Sequence, residues 1–287
     1  MDPTGYRPVS ITPALSRLAE KILNEQLSNF LSKEKLIPEE CHGFVGGRSC
    51  VTACLEILQE LSEGIEEGGI PTLLGCDISS AFDCLPRSKL LKQISALGCG
   101  ENAVKLLSDY FNLRTQQVEI GGQCSTKRAV HVGVLQGSAL SPLLFLIYFL
   151  RGTQSVRDCQ VCIGELKEKP ENRSNRCSRC GSSVTFADDL NTIHRIKGKS
   201  KKSIERRVEQ QGNRVEKVLR KLGLCINKKK TQLLICMNRQ RRNPSCGLED
   251  TRERYKGKLT ANIGGQLVEE TGSLKTLGVL FDSVFSF

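Results

Sequence analysis

The chain has 287 residues, enough for one large domain or two small ones, and a hydrophobic share of 39% suits a buried core rather than disorder. Its longest apolar run, Leu143 to Leu150, is far short of the roughly 20 residues of a membrane span, and Met1 to Ser10 lacks the apolar stretch of a secretory signal. Fourteen cysteines in such a chain argue against a disulfide framework and for reduced thiols in an intracellular, reducing compartment, some of them as metal ligands. The net charge of +11 sits in one segment: residues 195–230 carry fourteen Lys and Arg against three Glu, and the rest of the chain balances 28 of each sign. Such a block suits a phosphate backbone, because each neutralised phosphate releases counterions; alone it reads as a solvated helix face.

In chain order, Leu15, Leu18, Ala19, Ile22, Leu23, Gln26, Leu27, Phe30 and Leu31 fall near helical spacing and predict a helix over 13–32 that Pro38 closes off. A Gly-rich loop spans Gly43 to Gly47, and Val51, Cys54, Leu55, Leu58 and Leu61 predict a second helix ending at Gly64. Thr72 to Ile78 reads as a short buried strand, followed by helical stretches near 88–97 and 101–112. Gln117 to Gln123 enters a Gly-Gly turn and predicts a hairpin. Val184 to Phe186 and Thr192 to Ile196 flank Asp188-Asp189-Leu190-Asn191 and predict another, with those four residues as its turn. Ile204, Val208, Gln211, Val215, Val218, Leu219 and Leu222 line one stripe of a basic helix, and Gln232 to Cys236 completes a core of strands. Strands alternating with helices, together with two hairpins, predict a mixed α/β sheet.

Three carboxylates carry the chemistry. Asp77 ends a buried strand, and Asp188 and Asp189 sit at a hairpin tip. Carboxylates brought together at a sheet edge can hold two divalent ions about 3.5–4 Å apart, and Mg2+ suits carboxylate oxygens plus substrate phosphates. An Asp-Asp pair alone is more often a turn filler. Its setting changes that reading. Phe186-Ala187-Asp188-Asp189 resembles the F-A-D-D box of retroelement reverse transcriptases. Cys76 to Asp83 resembles their D-x-x-x-A-F-D motif, and Gly133 to Pro142 their G-x-x-Q-G-S-x-L-S-P motif. Tyr6 to Ser10 and His42 to Ser49 resemble two fingers motifs of the non-LTR (LINE-type) retrotransposon group. Asn227 to Thr231 resembles its N-x-x-K-T motif, and Leu277-Gly278-Val279 the start of its primer-grip region. Seven motifs in family order weigh far more than any one.

The resemblance implies an α/β (α+β) fold: a right-hand polymerase palm over 71–286, an antiparallel sheet backed by helices, with partial fingers over 1–70 and the thumb absent. It implies an RNA-directed DNA polymerase, with Asp77, Asp188 and Asp189 holding two Mg2+ (or Mn2+) and the Ile78 carbonyl as a further ligand. The partners implied are an RNA template, a DNA primer and dNTPs. Phe82 stands where the family blocks a ribose 2′-hydroxyl; core packing is the rival role. Gln136 and Gly137 imply a loop close to template and incoming base, and Arg7 and Lys230 triphosphate contacts. His42 reads as structural. A membrane is not an expected partner, and the sequence sets no oligomeric state. The alternative function is a catalytically inactive, truncated or domesticated remnant that binds nucleic acid.

The chain departs from the family pattern where Phe149-Leu150-Arg151 replaces the usual Asn-Asp-Leu, and in the longer stretch from Leu150 to Phe186. There Cys159-x-x-Cys162 and Cys177-x-x-Cys180 have tetrahedral zinc spacing, which predicts a ribbon-like insert over 157–182 binding one Zn2+. The other reading is four free thiols in an exposed loop.

Overall fold

The computed structural model describes residues 9–157, 181–196, 200–227, 229–236 and 258–283. Along them run α1 (Ala14–Lys33), α2 (Cys50–Glu66), β1 (Ile70–Ser79), α3 (Arg87–Ala96), α4 (Glu101–Phe111), β2 (Thr115–Gln116), β3 (Glu119–Ile120), β4 (Gln123–Cys124), β5 (Arg128–Ala129) and α5 (Ser141–Arg157). Then follow β6 (Ser182–Phe186), β7 (Asp189–Ile196), α6 (Lys201–Leu222), β8 (Cys225–Ile226), β9 (Gln232–Ile235), β10 (Thr260–Ile263), β11 (Gln266–Thr271), β12 (Ser273–Thr276) and β13 (Val279–Asp282). They group into two units, neither continuous in sequence: Met1–Pro38 with Ser80–Leu150, and Glu39–Ser79 with Arg151–Phe287. Arg7 and the four cysteines of the expected ribbon, Cys159, Cys162, Cys177 and Cys180, lie outside the described residues. Among the described residues no helix is long and apolar enough to cross a membrane.

The second unit is built on a sheet of order β10-β11-β9-β1-β7-β6, with β8 also paired to β1. The ladders are antiparallel except β9–β11, where Leu233 and Leu234 run parallel to Glu270 and Thr271. A parallel pair needs a long return, and the stretch from Ile235 to Gln266 supplies it. Ala53, Ile57 and Leu61 of α2 close over Leu73, Val184, Ile193 and Leu234 in one core cluster. Burying such side chains contributes about 1.5–3 kcal/mol each. A capping box starts α2, the Ser49 hydroxyl accepting from Thr52 N–H and the Thr52 hydroxyl from Ser49 N–H.

Helix α6 starts on a second capping box, Ser200 with Ser203. Its buried stripe is Ile204, Val208, Gly212, Val215 and Leu219. The expected Gln211 is replaced in that stripe by Gly212, because Ile263 of β10 packs there: a Cβ on residue 212 would lie 2.5 Å from Ile263 Cδ1. The same helix guards the free edge of β10. Glu205 Oε1 accepts from Thr260 N–H at 3.1 Å, Glu209 Oε1 from Asn262 N–H at 2.8 Å, and Asn213 Oδ1 from Gly264 N–H at 2.8 Å. One turn of helix per two strand residues satisfies the outward amides of an edge strand. Two of the three glutamates in the basic segment are thus committed to the sheet, and Glu216 pairs with Arg220 at 2.5 Å.

The first unit contains α1, α3, α4, the two small hairpins and the start of α5. Arg87 is buried and spans three carbonyls, donating to Gly133 O at 2.8 Å, Phe111 O at 3.1 Å and Val130 O at 2.5 Å. The stripe expected of α1 matches the buried face only in its C-terminal half. Leu15 is 81% exposed, Leu18 57% and Ile22 50%, whereas Glu20, Leu27 and Leu31 are buried. The reason lies in what Glu20 holds, described below.

Candidate active site

Strand β1 pairs antiparallel with β7 from Ile70↔Ile196 to Asp77↔Asp189. Side chains alternate along β1, so Cys76 and Ile78 are buried while Asp77 between them is half-buried. Strands β6 and β7 are joined by a two-residue turn, Ala187-Asp188, with Phe186 and Asp189 as its closing pair. The expected four-residue turn over 188–191 is therefore corrected. Asp189, Leu190 and Asn191 already belong to the ladder, and that register sets Asp189 opposite Asp77. Ala187 has φ +55°, a conformation unusual for a residue with a Cβ and of the kind that concentrates at functional turns.

Backbone contacts tie the site together. Ile78 N–H donates to Asp188 O at 3.3 Å, and Asn227 N–H donates to Asp77 O at 2.7 Å. The Asn227 carbonyl in turn accepts from Lys230 N–H and Thr231 N–H at 3.1 Å each, and from the Thr231 hydroxyl at 3.0 Å. That compact turn sends Lys230 Nζ to 3.5 Å from Asp77 Oδ1. Lys230 is 66% exposed, so the pair adds little stability. Burial first, then the charges of Asp188 and Asp77, push the Asp189 carboxyl above its ordinary value, with Lys230 opposing.

Three carboxylates with one exposed ammonium leave uncompensated negative charge on all-oxygen donors, which fits a hard divalent cation. Among the described residues no three His, Cys, Asp or Glu side chains already converge as a metal cage.

The first unit holds the other expected residues. Gln136 Nε2 donates to Asp83 Oδ2 at 2.8 Å, and the Gln136 backbone carbonyl accepts from Ser10 N–H at 2.7 Å. Gly137 has φ +100°, and a Cβ there would lie 3.0 Å from Ser10 O, so only glycine fits this turn. Phe82 is half-buried and stacks on Phe145 at 5.1 Å between ring centroids.

Sequence reading missed what fixes this loop. Glu20, 1% exposed, accepts from the Tyr110 hydroxyl at 2.8 Å, the Ser138 hydroxyl at 2.9 Å and Ala139 N–H at 3.1 Å. One turn on, Asn24 Nδ2 donates to Ala139 O at 2.7 Å. A Glu and an Asn at i and i+4 were the available signal, obscured by the apolar residues around them.

The fold is that of a polymerase palm. Telomerase from Candida tropicalis, solved with a TWJ fragment of telomeric RNA, superposes with a TM-score of 0.50 and 14% identity, over 77% of this chain and 34% of that one. At this identity the likeness is one of fold alone. The chain belongs to the reverse transcriptase (RNA-dependent DNA polymerase) family, whose sequence profile matches residues 2–281. Similar curated proteins come from mobile elements of Drosophila melanogaster. One is the "Probable RNA-directed DNA polymerase from transposon BS", 25% identical over 146 residues; another is the corresponding protein of transposon X-element, 27% identical over 151. Each match takes in 51% of this chain but 16% of the relative's length. Reverse transcriptases use divalent metal ions such as Mg2+.

Proposed function

We propose that the chain adds deoxynucleotides from dNTPs to the 3′-hydroxyl of a DNA primer on an RNA template. The observation that carries this is the register of Asp77 against Asp189, with Asp188 at the adjoining turn. Asp77, Asp188 and Asp189 would hold two Mg2+ (or Mn2+). When bound, such ions favour the alkoxide form of the attacking hydroxyl and neutralise charge on the leaving pyrophosphate. The protein's own part is to fix those carboxylates on a rigid pair of strands. Lys230 offers a cation for the triphosphate, as Arg7 would, and Gln136 and Gly137 bring backbone close to template and incoming base. Primer extension on an RNA template with Mg2+ tests the reading. Extension dependent on all four dNTPs is expected; a folded protein that binds the primer–template but never extends it would leave only the inactive, nucleic-acid-binding remnant.

Phe82 is assigned the exclusion of a ribose 2′-hydroxyl. Phe82→Ala should admit ribonucleotides by about tenfold or more relative to the parent, since the substitution opens space for one hydroxyl. Competition between dNTP and rNTP reads this directly. An unchanged sugar preference, with lower stability from the lost stack on Phe145, would return Phe82 to core packing.

Cys159, Cys162, Cys177 and Cys180 are assigned one structural Zn2+ held by four thiolates. The residues between the pairs, rich in Lys, Glu, Arg and Asn, have little apolar surface to bury, so metal binding would supply their folding energy. Elemental analysis should find about one zinc per chain, lost when the four cysteines become serine. Metal content far below that, and indifferent to the substitutions, would leave a cysteine-rich loop.

A further inference from the structure

Strand β6 closes one side of the sheet, and its outer edge is not bare. Thr185 N–H donates to Glu40 O at 2.9 Å, His42 N–H donates to Thr185 O at 2.8 Å, and Cys41 bridges Thr185 in parallel. This short segment is gripped from its other side. His42, 6% exposed, has Nδ1 2.8 Å from Thr52 Oγ1 and Nε2 2.7 Å from Glu56 Oε2, both on α2. Arg48 Nη1 donates to Cys41 O at 2.6 Å and Glu39 O at 3.1 Å. The next residue, Gly43, lies against the turn that carries Asp188. A Cβ on it would meet Phe186 C at 3.0 Å, Phe186 Cα at 3.1 Å and Ala187 N closer still. These are backbone atoms, so no rotamer change relieves the overlap. Either the segment or the turn has to move, and the segment is held by two side-chain contacts to α2 and two from Arg48 just before it.

We infer that Gly43 is a positioning residue: its missing side chain sets the seat of the Ala187-Asp188 turn, with His42 anchoring that seat to α2. Ala187 already holds a positive φ, so a push on Ala187 N is passed along the chain to Asp188 and Asp189. The inference rests on the reading above that these aspartates are catalytic. It also gives a physical job to the first of the three glycines in the His42–Ser49 motif.

The test is Gly43→Ala, with kinetics normalised to folded protein and hydrogen exchange followed by segment. Exchange should rise across Phe186–Leu190 while the sheet centre, Leu73 and Leu234, stays protected. The kcat for primer extension should fall about 100-fold, the scale of a misplacement near 1 Å, with KM for dNTP nearly unchanged. Unchanged exchange at the turn, or a rise spread evenly over the sheet, would overturn the inference. So would a folded variant with parental kcat. If Gly43→Ala does not fold, Glu56→Gln loosens the His42 anchor without touching Gly43. It should raise exchange at the turn and lower kcat in the same direction by a smaller factor, and no change at the turn again refutes the seat. The exchange arm judges the seat even without synthesis. Asp188→Asn separately judges whether the residue being seated is catalytic.

Discussion

Replacing Asp188 by Asn is expected to lower primer extension by about a thousandfold or more while leaving the fold intact. The side chain is half-exposed at a turn whose backbone bonds, Ile78 N–H to Asp188 O among them, do not use its carboxylate. Asn keeps the shape and the turn preference but removes the charge that a divalent ion and its phosphates need. Stability should move the other way. The Asp189 carboxyl is pushed up first by burial and then by Asp188 and Asp77, so the folded state favours its protonated form. A raised carboxyl contributes stability that is full below its unfolded value and lost as pH rises through the folded one. At neutral pH without divalent metal, the cluster therefore costs stability. Removing the Asp188 charge should raise the unfolding free energy there by about 1 kcal/mol or less, given the half-exposed site, with the gain vanishing at acid pH. Chemical unfolding in EDTA at two pH values checks this. Undiminished incorporation would show that the activity lives elsewhere, and a large loss of stability at neutral pH would show that Asp188 has a structural role.

What the sequence disclosed follows a physical pattern. The aspartates were legible because two are adjacent and the third ends an apolar strand, features that need no partner to be seen. The turn was misplaced because Asp-Asp-Leu-Asn is rich in turn formers, whereas Ala at positive φ is disfavoured on its own. Only the pairing of β7 with β1 decides the register. Helix α6 existed in the pattern, but the choice of Gly212 over Gln211 depends on Ile263, about fifty residues later in sequence. The short strands β10 to β13 carry alternating polar residues, too few in each run to separate from loop. The largest miss concerned charge. A Glu among apolar residues of a helix is ordinarily assigned to solvent, and the apolar stripe of α1 leaves Glu20 out.

Glu20→Ala is expected to be the costliest of these substitutions for stability. The carboxylate is almost wholly buried and accepts three hydrogen bonds, from the hydroxyls of Tyr110 and Ser138 and the amide of Ala139. Truncation leaves those donors facing a dry cavity, and an unsatisfied buried group costs about 1–3 kcal/mol, so a net loss of about 3 kcal/mol is expected. Glu20→Gln keeps an acceptor oxygen and lets the two hydroxyls turn to suit an amide, so it should lose less than half as much. Tyr110→Phe removes one bond and should lose about 1 kcal/mol. Denaturant midpoints at unchanged slope give all three. The effect should reach synthesis through position rather than chemistry. Glu20 and Asn24 together hold Ser138 and Ala139, which follow directly on Gln136 and Gly137. With the anchor gone, that loop keeps its sequence but not its place, so KM for template–primer or dNTP should rise more than kcat falls, and Glu20→Gln should restore most of it. Equal midpoints for Glu20→Ala and the parent would show that water replaces the carboxylate at little cost. The helix would then owe its orientation to Leu27, Leu31 and the Asn24 bond to Ala139, and the exposure of Leu15, Leu18 and Ile22 would no longer follow from Glu20.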